Sequence, residues 1–166
     1  MKTLIIEPEF MGKIEIEEAF KMIFDEEIVK KAHKYSHVEV GKWDNENKRT
    51  VVCKMVFDII PKEVQEILNQ NSLSVNIDQN FIKFTSPERW EINNNLKFNF
   101  PGARFFKIKP FYYLQKNETG VYFGGRVENT VFLPAPVKFI VEKFIQNESE
   151  KQIINYKKII LESLQK

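Results

Sequence analysis

The sequence predicts an α+β fold in which a large, curved antiparallel sheet is followed by a long C-terminal helix, with two short helices after the first strand. Three observations carry this reading. Directly after an initial β-branched run, the chain switches to helical apolar spacing. From His37 to Leu133 strand-like segments alternate with turn residues. Finally, VFLPAPVKFIVEKFI (Val131 to Ile145) passes from strand to helix through two prolines. At 166 residues, the chain is expected to form one domain spanning residues 1–166, with a substantial core that needs no disulfides.

Residues Thr3 to Ile6 predict the first strand, extending to Phe10 despite Pro8. Ile16, Ala19, Phe20 and Ile23 then share a helical face, with Glu17, Glu18 and Lys21 elsewhere. Asp25 is placed to cap a second helix, EEIVKKAHKY, in which acidic residues lead and basic ones follow, the order the helix dipole favours. HVEVGKW and RTVVCKMVF flank the polar loop DNENK, and Val51, Cys53, Met55 and Phe57 fall on one face, expected to point inward. PKEVQEIL (Pro61 to Leu68) fits either a short helix with proline at its first position or a loop.

Next come LSVNI and FIKFT around DQN, RWEI and LKFNF interrupted by NNN, and RFFKIKPFYYLQ after the turn PGA. Trp90, Ile92, Leu96, Phe98 and Phe100 suit the inner face of one strand region, and Phe106, Ile108, Tyr112 and Leu114 that of the next. In the last strand, GVYFGGRVENTVFL, Gly124 and Gly125 mark either a bend or close backbone approach, or an ordinary edge irregularity. Pro134 and Pro136 end that strand and start a helix, since each lacks a ladder donor and sets φ near the helical value. Val137, Ile140, Val141, Phe144 and Ile145 form its first apolar stripe, which weakens through QNESEK and resumes at Ile153, Ile154, Ile160, Leu161 and Leu164. One long helix is the preferred reading; Asn147 or Ser149 as the cap of a separate helix is the other.

Composition narrows the function classes. With 25 Lys+Arg against 23 Asp+Glu the formal charge is +2, so a dedicated nucleic-acid binder is not expected. The single cysteine, Cys53, sits in an alternating apolar strand and reads as a small buried hydrophobe in a reducing compartment. The start, MKTLIIEPEF, lacks the apolar core of a signal peptide, and no segment has the length of a membrane span; the expected location is cytoplasmic. Phe is abundant, with 15 residues, many of them clustered between Phe81 and Phe144, as in a packed core or an apolar pocket.

The element order, the helical pair EEAFKMIFDEEIVKKAHKY and the joint VENTVFLPAPVKFIVEKFI together resemble the START-related helix-grip superfamily, which includes lipid-transfer domains, plant ligand-binding allergens and polyketide cyclases. GKWDNENKRTVVCKMVF also looks like the corresponding hairpin of sterol-binding START-like domains. The resemblance covers nearly the whole chain and rests on element order, not on a catalytic signature. It implies a sheet wrapped around the C-terminal helix with a cavity between them, and a lipid or other hydrophobic small molecule inside.

The residues placed to line that cavity are Met55, Phe57, Phe98, Phe100, Leu114, Phe123, Ile140, Val141 and Phe144. Asn129, which shares a face with Val121, Phe123, Val127 and Val131, is a candidate polar anchor, as are Tyr112 and Arg49 at inward-phase positions. The same residue types would equally fill an ordinary core. Burying about ten ligand methylenes is worth roughly 8 kcal/mol, against an association cost of ~4–15 kcal/mol, so a ligand needs a large apolar body or polar anchors.

Other constellations weigh less. Arg126 and Glu128 alternate with the apolar face and read as a solvated pair rather than a buried acid–base couple. His33 and His37 have the spacing of a helical metal pair, yet Ser36 and the following VEV place the helix end between them, and no metal site or cofactor is expected. Cys53 lacks a partner that would activate it, and no nucleophile-elbow, P-loop or dinucleotide motif is present. In NFPGARFFKIK, Phe100, Phe105 and Phe106 beside Arg104, Lys107 and Lys109 suit transient contact with an anionic membrane; a hairpin with inward aromatics is the alternative. The leading expectation is binding, with intermembrane transfer as an extension. Behind it stand a cyclase- or dehydratase-type enzyme using the same cavity, with no catalytic residue assigned, and a protein-interaction module.

Overall fold

A computed structural model describes residues 1–33, 36–55, 62, 65–66, 73–99 and 102–165, with backbone alone at 36, 55 and 73. The strands are β1 (Lys2–Gly12), β2 (Ser36–Val40), β3 (Lys48–Met55), β4 (Leu73–Thr85), β5 (Glu88–Asn99), β6 (Phe106–Asn117) and β7 (Gly120–Val131). The helices are α1 (Ile16–Phe24), α2 (Glu26–Ala32) and α3 (Val137–Leu164). The strands form one antiparallel curved sheet in the order β1-β7-β6-β5-β4-β3-β2. Because β1 and β2 are its opposite edges, the connection through α1 and α2 must cross the sheet. That crossing lays the helical pair over the inner face. The expected α+β architecture is therefore present.

Local chemistry explains most elements. The Asp25 carboxylate accepts from the Glu27 amide at 2.9 Å, capping α2 as its sequence position predicts. In the DNENK loop, Asp44 Oδ1 accepts from the amides of Glu46 and Lys48, closing the β2–β3 connection. Pro8 is tolerated because β1 is an edge, and a bulge there sets Ile6 to Glu9 against Gly125 to Phe123. Gly125 is required by crowding: a Cβ would lie 2.2 Å from the Phe111 carbonyl oxygen of the neighbouring strand. The close-approach reading of that glycine is the one realised.

Two expected interruptions are absent. DQN (78–80) and NNN (93–95) lie within β4 and β5, which pair without a break from Ser74↔Asn99 to Thr85↔Glu88. The polar triplets stay in strands because their side chains are satisfied across the sheet. Asp78 pairs with Lys97 at 2.6 Å on the outer face, while Gln79 donates to Asn94 at 2.8 Å on the inner one. A polar run read as a turn is here a pair of two-faced strand segments. Of Pro61–Leu68 only Lys62, Gln65 and Glu66 are described, and all three are helical.

α3 is a single helix of 28 residues, about 42 Å long at 1.5 Å per residue. Its polar middle is supported by Gln146 donating to Glu150 and by the Lys151–Glu148 pair, so neither Asn147 nor Ser149 starts a new helix. β7 ends at Val131, two residues earlier than expected, and α3 starts at Val137, immediately after Pro136. The buried stripe is narrower than the sequence pattern: Val141, Ile145 and Ile160 are buried, whereas Ile140 is 43% exposed and Ile154 and Leu161 are also exposed. At 100° per residue these lie on the side of the helix turned away from the buried stripe, where the sheet does not cover them.

Among the described residues, most buried apolar side chains fall into three clusters. The first joins α1 to the far end of α3 through Phe20, Phe24, Phe81, Trp90, Leu114, Phe123 and Ile160. The second, at the start of α3, contains Val131, Val141 and Ile145, with Phe106, Ile108, Leu133, Val137 and Phe144 packed against it. The third ties α2 to β2 and β3 through Val29, Val38, Val51 and Cys53. Burial raises the Cys53 thiol to about 11, consistent with packing rather than reactivity.

Candidate functional site

The inner face carries a polar row that crosses three strands. Arg49, Gln79 and Asn94 are register partners on β3, β4 and β5, so their side chains stand side by side. Arg49 Nε donates to Gln79 Oε1 at 2.6 Å, and Gln79 Nε2 donates to Asn94 Oδ1 at 2.8 Å. Asn94 Nδ2 then donates to the Pro110 carbonyl at 3.2 Å. That last bond spans a fork in the sheet, because the β5–β6 ladder ends at Asn93↔Phe111. Beyond it, residues 94–99 pair with β4 and residues 106–110 with β7.

Arg49 is held from three sides. Besides Gln79, its Nη1 donates to the Phe24 carbonyl at 3.0 Å, and the guanidinium lies 4.3 Å from the centre of the Trp43 ring. No carboxylate pairs with it among the described residues, although the residue is only 8% exposed. Burial lowers its pKa to about 10, while Tyr156, Asp25 and Glu26, none within ion-pair distance, act in the opposite direction. Its Nη2 and the Asn129 Oδ1 are the buried side-chain polar atoms without a partner among the described residues.

Beside this row lies a small cavity of about 60 Å³ between the sheet and α3. Gln79, Tyr112 and Phe123 line it from the sheet, Phe24, Val29 and His33 from the helical pair, and Gln152, Ile153 and Tyr156 from α3. Its titratable groups are all shifted toward neutrality by burial: Tyr112 is raised to about 12, Tyr156 well above its ordinary value, and His33 lowered. Tyr156 also donates to the Ile23 carbonyl at 2.6 Å. Near neutral pH the cavity wall therefore carries no charge of its own.

The structure brings Tyr112 and Phe123 together at the cavity and places Arg49 against two of its lining residues. Leu114 is buried in the first cluster, while Val141 and Phe144 belong to the second. Asn129 is the register partner of Ile108 in that second cluster, and Phe98 is half-buried on the inner-phase side of β5. Ile140 stands on the exposed flank of α3, outside this group. Met55 is described by its backbone alone, and Phe57 and Phe100 lie outside the described residues. The polar row was missed because Gln79 and Asn94 read as turn residues. A signal was available: each sits at period two from apolar inner-face neighbours, Ile77 and Phe81 in one strand, Ile92 and Leu96 in the other.

Of the remaining constellations, Arg126, Glu128 and His37 lie outside the cavity and His33 lines it alone of its pair. Arg126 and Glu128 meet at 2.8 Å on the outer face, with Arg126 over the Phe111 ring. α2 ends at Ala32, leaving His33 at its C-cap and His37 on β2, 3.4 Å from Glu39. A larger, open polar groove of about 880 Å³ is lined by Thr50, Asn80, Asn93 and Asn95 of the outer face together with Arg49, Gln79 and Asn94 of the polar row.

Several solved structures share this arrangement. TTHA0849 from Thermus thermophilus superposes with a TM-score of 0.58 at 10% identity, covering 98% of this chain and 99% of that one. Human StAR-related lipid transfer protein 5 gives 0.57 at 8% identity, over 98% of this chain and 73% of that one. Ara h 8.0201 gives 0.55 at 13% identity, over 97% and 98%. The chain has the helix-grip fold. No protein-family profile and no curated protein sequence matches it. At these identities the shared property is the helix-grip architecture itself, in which a sheet and a long C-terminal helix face each other across an interior surface.

Proposed function

We propose that this helix-grip protein binds a hydrophobic small molecule or lipid between the sheet and α3. The observation that carries the reading is the divided interior. A domain of this size normally builds one contiguous core, whereas here separate apolar clusters flank a cavity on the inner face. The similarity in fold to human StAR-related lipid transfer protein 5 is in keeping with this. A volume near 60 Å³ holds about two waters, so a lipid enters only if the first half of α3 moves off the sheet. That half rests on the second apolar cluster and on the ion pair of Glu142 with Lys2 of β1.

Transfer between membranes extends the reading to the outside of the same end. Phe132 and Phe139 are 59% and 64% exposed, and Ile140 lies beside them. The Phe132 amide donates to the Phe105 carbonyl, which joins this apolar edge to the turn bearing Arg104 and Lys107. Exposed rings beside cations suit an anionic bilayer surface. Vesicle co-sedimentation tests it: binding to anionic vesicles that survives Phe132→Asp with Phe139→Asp would count against this surface.

Native mass spectrometry of the purified protein, followed by a lipid panel, tests the binding reading itself. A co-purifying apolar molecule is the expected result; no such molecule and no lipid uptake would end the proposal. Phe123→Trp fills the cavity wall and is expected to block uptake while the fold persists. A second reading, a cyclase- or dehydratase-type enzyme, is favoured by His33, Tyr112 and Tyr156 sharing one cavity. Recovery of the bound molecule chemically unchanged after incubation would remove it.

A further inference from the structure

We infer that Arg49 is the anchor for a carboxylate, and that the bound molecule is an acidic amphiphile whose head group meets Arg49 Nη2 and whose apolar body extends toward the start of α3. The inference rests on the binding reading above and adds the chemical class of the ligand. A buried guanidinium is expensive unless an anion compensates it. Arg49 has only neutral partners: the Gln79 amide oxygen, the Phe24 carbonyl and the Trp43 ring. Nη2 is left buried with nothing to donate to among the described residues. Both hydrogen-bond acceptors that orient the guanidinium belong to residues lining the cavity, so Arg49 stands behind its wall, next to the polar groove that it lines itself.

Size and charge select the kind of anion. The cavity's 60 Å³ matches a carboxyl group, one carbon with two oxygens, rather than a phosphate ester with four oxygens. One guanidinium whose direct hydrogen-bond partners are neutral, with Asp25 and Glu26 acting only at longer range, compensates a single negative charge. The cavity wall offers the Tyr112 hydroxyl and the Gln152 amide, which can donate to the second oxygen. Among the described residues the apolar body has one direction open to it. The α1 end is filled by the Phe20, Phe81 and Trp90 rings, whose centroids lie about 5–6 Å apart, whereas the fork between β5 and β6 leads to the cluster of Val141 and Phe144.

Two measurements on the full chain test this. The first compares thermal melting in sodium acetate and in sodium chloride at equal ionic strength, since an anion that binds only the folded state raises the melting temperature. The second displaces the neutral apolar probe N-phenyl-1-naphthylamine with dodecanoate or with 1-dodecanol. The wild-type protein should melt higher in acetate and bind dodecanoate at least tenfold more tightly than the alcohol. Arg49→Met should lose both effects. Because that variant also strips the Phe24 carbonyl of its donor, Gln79→Glu is the second test: it supplies the missing anion from inside. It should melt higher than wild type in chloride, gain nothing from acetate and lose the preference for the acid. If acetate has no effect and dodecanoate and dodecanol compete equally, the anchor is refuted, and continued binding of the naphthylamine would leave the apolar-ligand reading standing. Acetate stabilisation without any binding of the naphthylamine would refute the amphiphile and the apolar-ligand reading together, leaving Arg49 as a site for small carboxylates.

Discussion

Along α3 the last turns are tied to the rest of the chain by directional bonds, whereas the first turns rest on apolar contact. Tyr156 donates to the Ile23 carbonyl, Asn155 Nδ2 to the Ala32 carbonyl and Lys157 Nζ to the Glu7 carbonyl, so α1, α2 and β1 all hold the same stretch. At the other end Val141 and Ile145 meet Phe106, Ile108 and Leu133, and the polar link among the described residues is the ion pair of Glu142 with Lys2. Hydrogen bonds have narrow geometric tolerance; apolar surfaces can separate and re-form with a small molecule between them. In the proposed binding reading, one helix thereby serves as a fixed post at its C-terminal end and as a movable cover at its N-terminal end.

Substitutions can break this contrast, starting from the post. Phe20 touches Phe24, Trp43, Phe81 and Trp90, so Phe20→Ala should cost about 3–5 kcal/mol by urea denaturation. A loss under about 1 kcal/mol would show that the closed end is not the rigid part. Tyr156→Phe leaves the Ile23 carbonyl without its donor and should cost about 1–3 kcal/mol. The same variant should accelerate amide exchange in residues 152–164 while leaving 137–148, already faster in wild type, unchanged; uniform protection along α3 would erase the distinction. At the cover, Ile145→Val should cost only about 0.5–1.5 kcal/mol.

The smallest expected effect is on pH. Burial lowers His33 below its ordinary value of 6.5, so between the two values the unfolded chain binds more protons than the folded one. The stability linked to His33 is therefore complete above that ordinary value and falls as pH drops through it toward the folded one. Tyr112 and Tyr156, which share the cavity, stay protonated throughout that range. Urea midpoints at pH 7.5 and 5.0 should show a smaller decline for His33→Gln than for wild type. An equal decline in both would place the histidine outside the buried wall.

Much of the architecture was readable because it is written in local chemistry. Asp25 caps α2 wherever that helix packs, two prolines separate a strand from a helix in any context, and alternation in β3, β6 and β7 assigns inner and outer faces without knowledge of the partner strand. The site was less readable. Arg49, Tyr112 and Phe123 were within reach by phase alone, but Gln79 and Asn94 looked like turn residues, and nothing in the chain order ties Arg49 to Phe24 or Tyr156 to Ile23.

The sequence by itself determined the element order, the strand faces, the helix boundaries near Asp25 and Pro136, and an apolar interior facing a long helix. Those follow from rotamer, capping and periodicity effects that act over a few residues. Only the tertiary structure decided that, among the described residues, the interior is divided into separate clusters, a guanidinium is buried there without a paired carboxylate, and the directional bonds of α3 gather near its C-terminal end. These depend on strand register and on distances between residues far apart in the chain, which no local pattern encodes.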